Sequence, residues 1–291
     1  MNKTILIAST SLIFSSIFFV INDAIINYLS AINITFYHFI FYGTPAYLAV
    51  PLYLFLKGDL KYNLKCKNYF IPLIRGLIFA PMPFITFVSL KNITLPEFTT
   101  LNMSAPLIGA IYAFIFLNEK LNKFNYISLF LGFLGVLLVI QPGFEAFNIY
   151  FLLTLFGVLL ITTTTTIVNK YNNITTTLGF FIYGGFFIHI ISLFLFILDP
   201  IKVNFFEFSL ITIASILINF AILLATLAFK IAQKHYSAVF CLVYLQIVWS
   251  SLIGIFVFNE YLNIVAYMGA LFIIISGLIS IPAQIKQFNE K

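Results

Sequence analysis

Ten apolar stretches separated by short polar connections run the length of the chain. They fall near residues 4–28, 34–56, 70–90, 97–117, 124–141, 149–169, 176–197, 209–229, 236–258 and 264–282. A helix rises 1.5 Å per residue, so runs of about 17–25 apolar residues suffice to cross a bilayer core. The longest polar connection, about 57–68, leaves no room for a soluble catalytic domain. Met1-Asn2-Lys3 before an apolar run has the look of a secretory signal. That run is long, however, Asn22-Asp23 interrupts it, and no small-x-small cleavage site follows, so it predicts a first spanning helix.

Composition agrees with the pattern. The 291 residues are 62% hydrophobic and only 8% charged, with mean hydropathy +1.08, whereas a soluble domain carries about 25% charged residues. One globular core cannot bury this surplus, and the lipid bilayer is the partner that covers the rest. The two cysteines, Cys66 and Cys241, offer neither a disulfide framework nor metal-ligand spacing, and no cofactor motif is present. The net charge of +6 does not predict nucleic-acid binding, because the basic residues lie singly between apolar runs. Topology accounts for them. With ten spans and both termini cytoplasmic, thirteen of the fifteen Lys and Arg residues face the cytoplasm, leaving only Lys91 and Lys202 opposite. The expected location is a bacterial inner membrane, crossed many times.

A repeat organises the spans. Phe116-Leu117-Asn118-Glu119-Lys120-Leu121-Asn122 matches Val257-Phe258-Asn259-Glu260-Tyr261-Leu262-Asn263 at an offset of 141, and Ile25-Ile26-Asn27-Tyr28 matches Ile167-Val168-Asn169-Lys170 at nearly the same offset. Each copy holds five spans, an odd number, so the copies are inverted. The fold class predicted is an all-α membrane protein of ten transmembrane helices in two inverted five-helix repeats, 1–142 and 143–291. Such repeats supply two interconvertible half-structures around a midplane site, the basis of alternating access.

The paired turns "FLNEKL" (116–121) and "FNEYL" (258–262), with "GFLGVLLVIQP" (132–142) and "YLQIVWSSLIGIFVFNE" (244–260), give the whole chain its resemblance. It resembles the EamA-type branch of the drug/metabolite transporter superfamily. Within it, "SSIFFVINDAIINYL" (15–29) and Arg75-Gly76 look most like the S-adenosylmethionine uptake branch. The resemblance implies a permease for a small-molecule metabolite and no enzymatic activity. Two positions depart from the pattern: Phe36-Tyr37-His38-Phe39 stands where relatives often carry Arg, and Gln246 where some have Glu.

Among single residues, Asp23 is the leading candidate. An ionisable group within a span costs a few kcal/mol unless it faces a cavity or a partner. It could hold a cationic substrate group or carry a coupling proton; the plain alternative is that the helix ends early and Asp23 sits in a loop. Ser11, Ser15 and Asn22 share one helical face, with Ser16 and Asp23 alongside. The repeat partner of Asn22-Asp23 falls within Thr162–Thr166, which either line a cavity or bond back to their own helix. Thr99, Asn102, Pro106, Gly109 and Ala113 share a face of the fourth span, where Asn102 needs an amide partner. Tyr244, Gln246 and Trp249 lie on its counterpart, where an aromatic face and an amide suit a planar or cationic ligand. Arg75, one turn inside the third span, either meets a substrate anion or snorkels to headgroups. His38 is a second coupling candidate. Glu119 and Glu260 are expected to pin the repeat turns, and Glu97 to complement an early helical turn.

The substrate-binding set is therefore Asn22, Asp23, Asn102, Tyr244, Gln246, Trp249 and Arg75. The leading function is a secondary transporter, with metabolite uptake set against export of amino acids. An intramembrane enzyme on lipid-linked substrates is the reading from another class, and no HExxH, Asp-rich motif or triad supports it. Monomer and homodimer both remain open.

Overall fold

The computed structural model describes residues 3–32, 34–118, 123–140, 148–232 and 236–289, and among them every regular element is helical. In chain order these are α1 (Lys3–Ala31), α2 (Phe36–Leu56), α3 (Leu60–Leu64), α4 (Phe70–Phe79), α5 (Met82–Asn92), α6 (Leu95–Asn102), α7 (Ala105–Leu117) and α8 (Lys123–Ile140). There follow α9 (Ile149–Lys170), α10 (Thr177–Leu198), α11 (Phe205–Ala232), α12 (Tyr236–Phe240), α13 (Leu245–Ile253) and α14 (Ile264–Asn289). A 3-10 turn, Cys241–Tyr244, joins α12 to α13, and a π turn, Gly254–Phe258, extends α13.

Seven segments are long and apolar enough to cross a membrane, from Leu6–Ala31 to Phe205–Ala232. Shorter apolar helices, Phe130–Val139, Gln246–Phe258 and Ile264–Ser276, occupy the other three predicted spans. Large apolar side chains such as Phe14, Leu52, Phe55, Phe194 and Phe256 stand exposed on the outer faces. A surface of this kind needs lipid around it, and the protein is a multi-pass membrane protein.

Three predicted spans are not continuous helices. The third breaks between α4 and α5, where Pro81 and Pro83 each lack the N–H that would carry the helix through. The fourth breaks at Met103-Ser104, just before Pro106. Thr94 and Glu97 begin that span at α6 as a capping box, the Glu97 carboxylate accepting from the Thr94 N–H at 2.9 Å. The predicted face from Thr99 to Ala113 is therefore split. The last break is the 3-10 turn, about 139 residues after the second.

The helices that lead into the two Asn-Glu pairs end in the same way. Asn118 (φ 55, ψ 30) and Asn259 (φ 55, ψ 33) are the non-glycine residues with positive φ among the described residues, each ending its helix in the left-handed conformation. They lie at opposite ends of the bundle. Asn259 adjoins Glu260, whose carboxylate accepts from the Asn27 amide (3.2 Å) and the Leu95 N–H (2.9 Å), beside the finish of α1. Asn118 adjoins Phe116, whose ring lies 5.8 Å from Lys170 Nζ at the finish of α9. Helix α11 separates the two places: its start meets α1 through Phe206 and Tyr28, and its finish meets α9 through the Phe229 carbonyl and Asn169. Its 28 residues span about 42 Å. Glu260 thus pins its turn as expected; Glu119 lies outside the described residues.

Long helices pair closely. Ser15 of α1 donates to the Ala221 carbonyl of α11 at 2.8 Å. On α8 and α14, a Cβ added at Gly135 would stand 2.7 Å from the Gly269 oxygen, and one at Gly269 would stand 2.6 Å from the Gly135 oxygen. Only glycine lets the two backbones meet there.

Candidate functional site

A cavity of about 220 Å³ opens at the centre of the bundle, and all three helix breaks border it. Phe79, Met82 and Pro83 face it from the first break, Asn102, Met103 and Ala105 from the second, and Phe240, Val243 and Gln246 from the third. Non-helical backbone within a membrane is stable only against protein or a hydrated cavity, because its N–H and C=O groups lose their intrahelical partners. The cavity is thus one place in the bundle where such breaks can be accommodated.

The lining is mainly apolar and aromatic, with a few polar groups of different kinds. Asn22 and Asp23 enter from α1. Helix α1 continues to Ala31, eight residues beyond Asp23, so the acid stands within a helix and not in a loop. Its one hydrogen bond among the described residues comes from the Asn22 amide at 3.3 Å, and the Asn22 Oδ1, on a side chain 3% exposed, has no partner. The serine stripe of α1 is buried, but only its Asn22-Asp23 end reaches the cavity.

Arg75 enters from α4. It is 5% exposed and does not snorkel. Its Nη1 donates to the Phe180 carbonyl at 2.9 Å, and Nε is without a partner. Room for the guanidinium is made by Gly184 of α10, where a Cβ would stand 2.5 Å from Nη1. Asn102 donates to the Phe98 carbonyl at 3.0 Å while bordering the cavity, and Gln246, 9% exposed, borders it from α13.

Two of the expected residues lie away from the cavity. Trp249 does not line the cavity: on α13 the residues Gln246, Ile247 and Ser250 turn inward, while Val248, Trp249 and Leu252 form the outer face, Trp249 being 39% exposed. His38 does not reach it either. Its ring sits at the start of α2, with Nδ1 2.7 Å from Thr35 Oγ1 and Nε2 2.8 Å from the Asp199 carbonyl. A carbonyl only accepts, so Nε2 carries the proton and the ring ties α2 to the end of α10. The Tyr244 side chain lies outside the described residues.

The thread of threonines answers to both readings. All five hydroxyls, Thr162 to Thr166, donate back to carbonyls of α9, and Thr164 and Thr165 also border the cavity. Other lining residues lie outside the predicted substrate-binding set. His189 stacks on Tyr47 with ring centroids 3.9 Å apart. Ser215, Asn219, Ile222 and Thr226 form one face of α11 at spacings of four, three and four. Asn219 is the one amide in the run 209–229, a signal of the same kind that singled out Asp23.

A helical membrane protein whose interrupted spans surround a central cavity with sparse, mixed polar groups has the build of a small-molecule permease. Residues 2–141 match the EamA-like transporter family, and the chain is similar to the EamA-type transporters of the drug/metabolite transporter superfamily. It is 24% identical over 282 residues to an S-adenosylmethionine uptake transporter of Rickettsia bellii, covering 93% of this chain and 91% of that one. The counterpart in Rickettsia conorii is 25% identical over 281 residues, covering 93% and 90%. An uncharacterized transporter of Helicobacter pylori is 26% identical over the full length of both. A solved crystal structure shares the fold with a TM-score of 0.67 at 14% identity, covering 96% of this chain and 98% of the other. The protein is a transporter and not an enzyme.

Proposed function

We propose that this transporter is a secondary carrier that takes up S-adenosylmethionine, or a closely related metabolite, by alternating access across a bacterial inner membrane. Its ten spans form two inverted repeats, 1–142 and 143–291, with both termini in the cytoplasm. The observation that carries the reading is the convergence of three interrupted helices on one cavity bordered by Asp23, Arg75, Asn102 and Gln246. Support for the inverted repeat comes from the twin left-handed asparagines at opposite bundle ends and from two helix breaks separated by nearly the repeat offset. The named Rickettsia relatives support the substrate. Asn22 and Asp23 form the pole for a cationic group, with Asp23 the residue that could also couple a proton; Asn102 and Gln246 orient the ligand between the walls.

Purified protein in liposomes is expected to accumulate labelled S-adenosylmethionine and to exchange it against the unlabelled compound inside. If exchange with S-adenosylmethionine does not exceed that of empty liposomes, the substrate assignment fails. Thiol labelling in intact cells, with cysteines placed singly at 118 and 259 in a protein lacking Cys66 and Cys241, tests the architecture. Labelling of both positions from the same side rules out the inverted arrangement.

A further inference from the structure

Two groups facing the cavity have hydrogen-bonding capacity that nothing in the described protein fills, and they are of opposite kinds. Arg75 is a buried cation. Guanidinium stays protonated in proteins, so it cannot relieve burial by losing its charge. Its Nη1 is engaged by a carbonyl, its Nε–H by nothing, and among the described residues no carboxylate stands within 4.0 Å of it. The neighbouring aromatic ring of Phe180, 6.0 Å from the guanidinium carbon, does not supply a counter-charge. On α1, the unpartnered atom is an acceptor, Asn22 Oδ1, next to the Asp23 carboxylate. One wall of the cavity thus lacks an anion and another lacks an N–H donor or cation.

We propose that Arg75 holds the carboxylate of the transported molecule while Asn22 and Asp23 hold its cationic group, so that the carrier selects small amphoteric molecules by their two poles. This rests on the carrier reading above and deepens it. A guanidinium presents parallel N–H groups to a carboxylate, and Arg75 offers its Nε edge for that purpose because Nη1 is bonded elsewhere. Gly184 leaves the room the guanidinium occupies, since any side chain there would strike it. A ligand lacking its carboxylate leaves Arg75 as it stands in the empty protein, a buried cation without its anion, and such a deficit discriminates strongly between substrates.

The test is competition for labelled S-adenosylmethionine uptake into liposomes by the unlabelled compound and by its decarboxylated form, on wild type, Arg75→Gln and Arg75→Lys. In wild type the decarboxylated compound is expected to compete about tenfold or more less well. In Arg75→Gln the two are expected to compete equally, because the guanidinium that told them apart is gone, with Arg75→Lys between. Equal competition in wild type overturns the proposal. Where wild type takes up no label, the substrate named above fails and the pole assignment is decided separately. Thermal stabilisation of wild type is then measured with free amino acids against the amines that lack their carboxylate. Preference for amino acids that disappears in Arg75→Gln sustains the proposal, and no preference for any carboxylate overturns it. Should Arg75→Gln fail to fold, the wild-type comparison alone decides.

Discussion

Helices α1 and α9 are paired by the repeat offset, and each sends two adjacent polar residues into the cavity. Asn22 and Asp23 do so from α1, Thr164 and Thr165 from α9. Their chemistry differs. The α9 hydroxyls have donated to their own helix, Thr164 to the Ile161 carbonyl and Thr165 to the Thr162 carbonyl, so each reaches the cavity largely satisfied. The α1 pair is left with an unpartnered amide oxygen and a carboxylate. On the proposed repeat the two places are equivalent, and only one holds a group whose stability depends on what enters the cavity. Such a scaffold with a one-sided lining would bind a ligand in a single orientation. The third spans teach the same lesson: α4 brings Arg75 and is followed by a proline break, while α11 runs unbroken and offers only Ser215, Asn219 and Thr226.

The comparison is broken most directly at the polar pair. Asp23→Asn is expected to lower uptake by about 10- to 100-fold, the worth of a hydrogen bond to a charged group. Thr164→Val is expected to change it by less than about threefold, since it removes a hydroxyl already bonded to its helix. Initial rates across substrate concentrations distinguish them. Comparable losses in both variants would mean that the two helices contribute alike.

Farther along, the asparagines matched by the repeat sharpen the contrast. Asn169 of α9 is buried and donates to the Phe229 carbonyl at 2.9 Å, whereas Asn27 of α1 is half-buried and donates to Glu260 at 3.2 Å. Asn169→Ala leaves a buried carbonyl without that donor and is expected to cost about 1–3 kcal/mol, Asn27→Ala about 1 kcal/mol. Thermal unfolding in detergent reads both; a larger loss for Asn27→Ala would reverse the ranking.

The smallest effect is in pH. Burial pushes the Glu260 carboxyl above its ordinary value of 4.5, and the Leu95 N–H and Asn27 amide pull part of that back. An acid whose folded value is raised binds its proton more tightly folded than unfolded. Its penalty is absent below the unfolded value and grows as pH rises through the folded one. Apparent stability is therefore expected to fall slightly as pH rises from about 4.5, and Glu260→Gln to flatten that fall. An unchanged slope in the variant would assign it to other groups.

Much of this was legible in the chain. Apolar runs placed the long helices to within a few residues, as with 34–56 against Phe36–Leu56. Rarity of polar groups in such runs was enough to single out Asn22, Asp23, Arg75, Asn102 and Gln246, since a polar side chain in lipid has few places to go except inward. Helix breaks were harder. Pro81, Pro83 and Pro106 marked two of them, but the turn at Cys241–Tyr244 contains neither proline nor glycine, and tertiary packing against the cavity decides it. Trp249 misled because rarity in composition says nothing about which way a residue faces; the inward set on α13 is Gln246, Ile247 and Ser250. His38 misled because hydropathy does not locate a helix start, where a ring can bond two loop groups.

Where Gly135 and Gly269 meet, each glycine faces the other's carbonyl oxygen, with Ile273 and Val139 packed alongside. A side chain at either position would wedge the pair apart. So close a pairing favours α8 and α14 moving as one body, which leaves the flexing that lets cargo through to the interrupted helices packed against them.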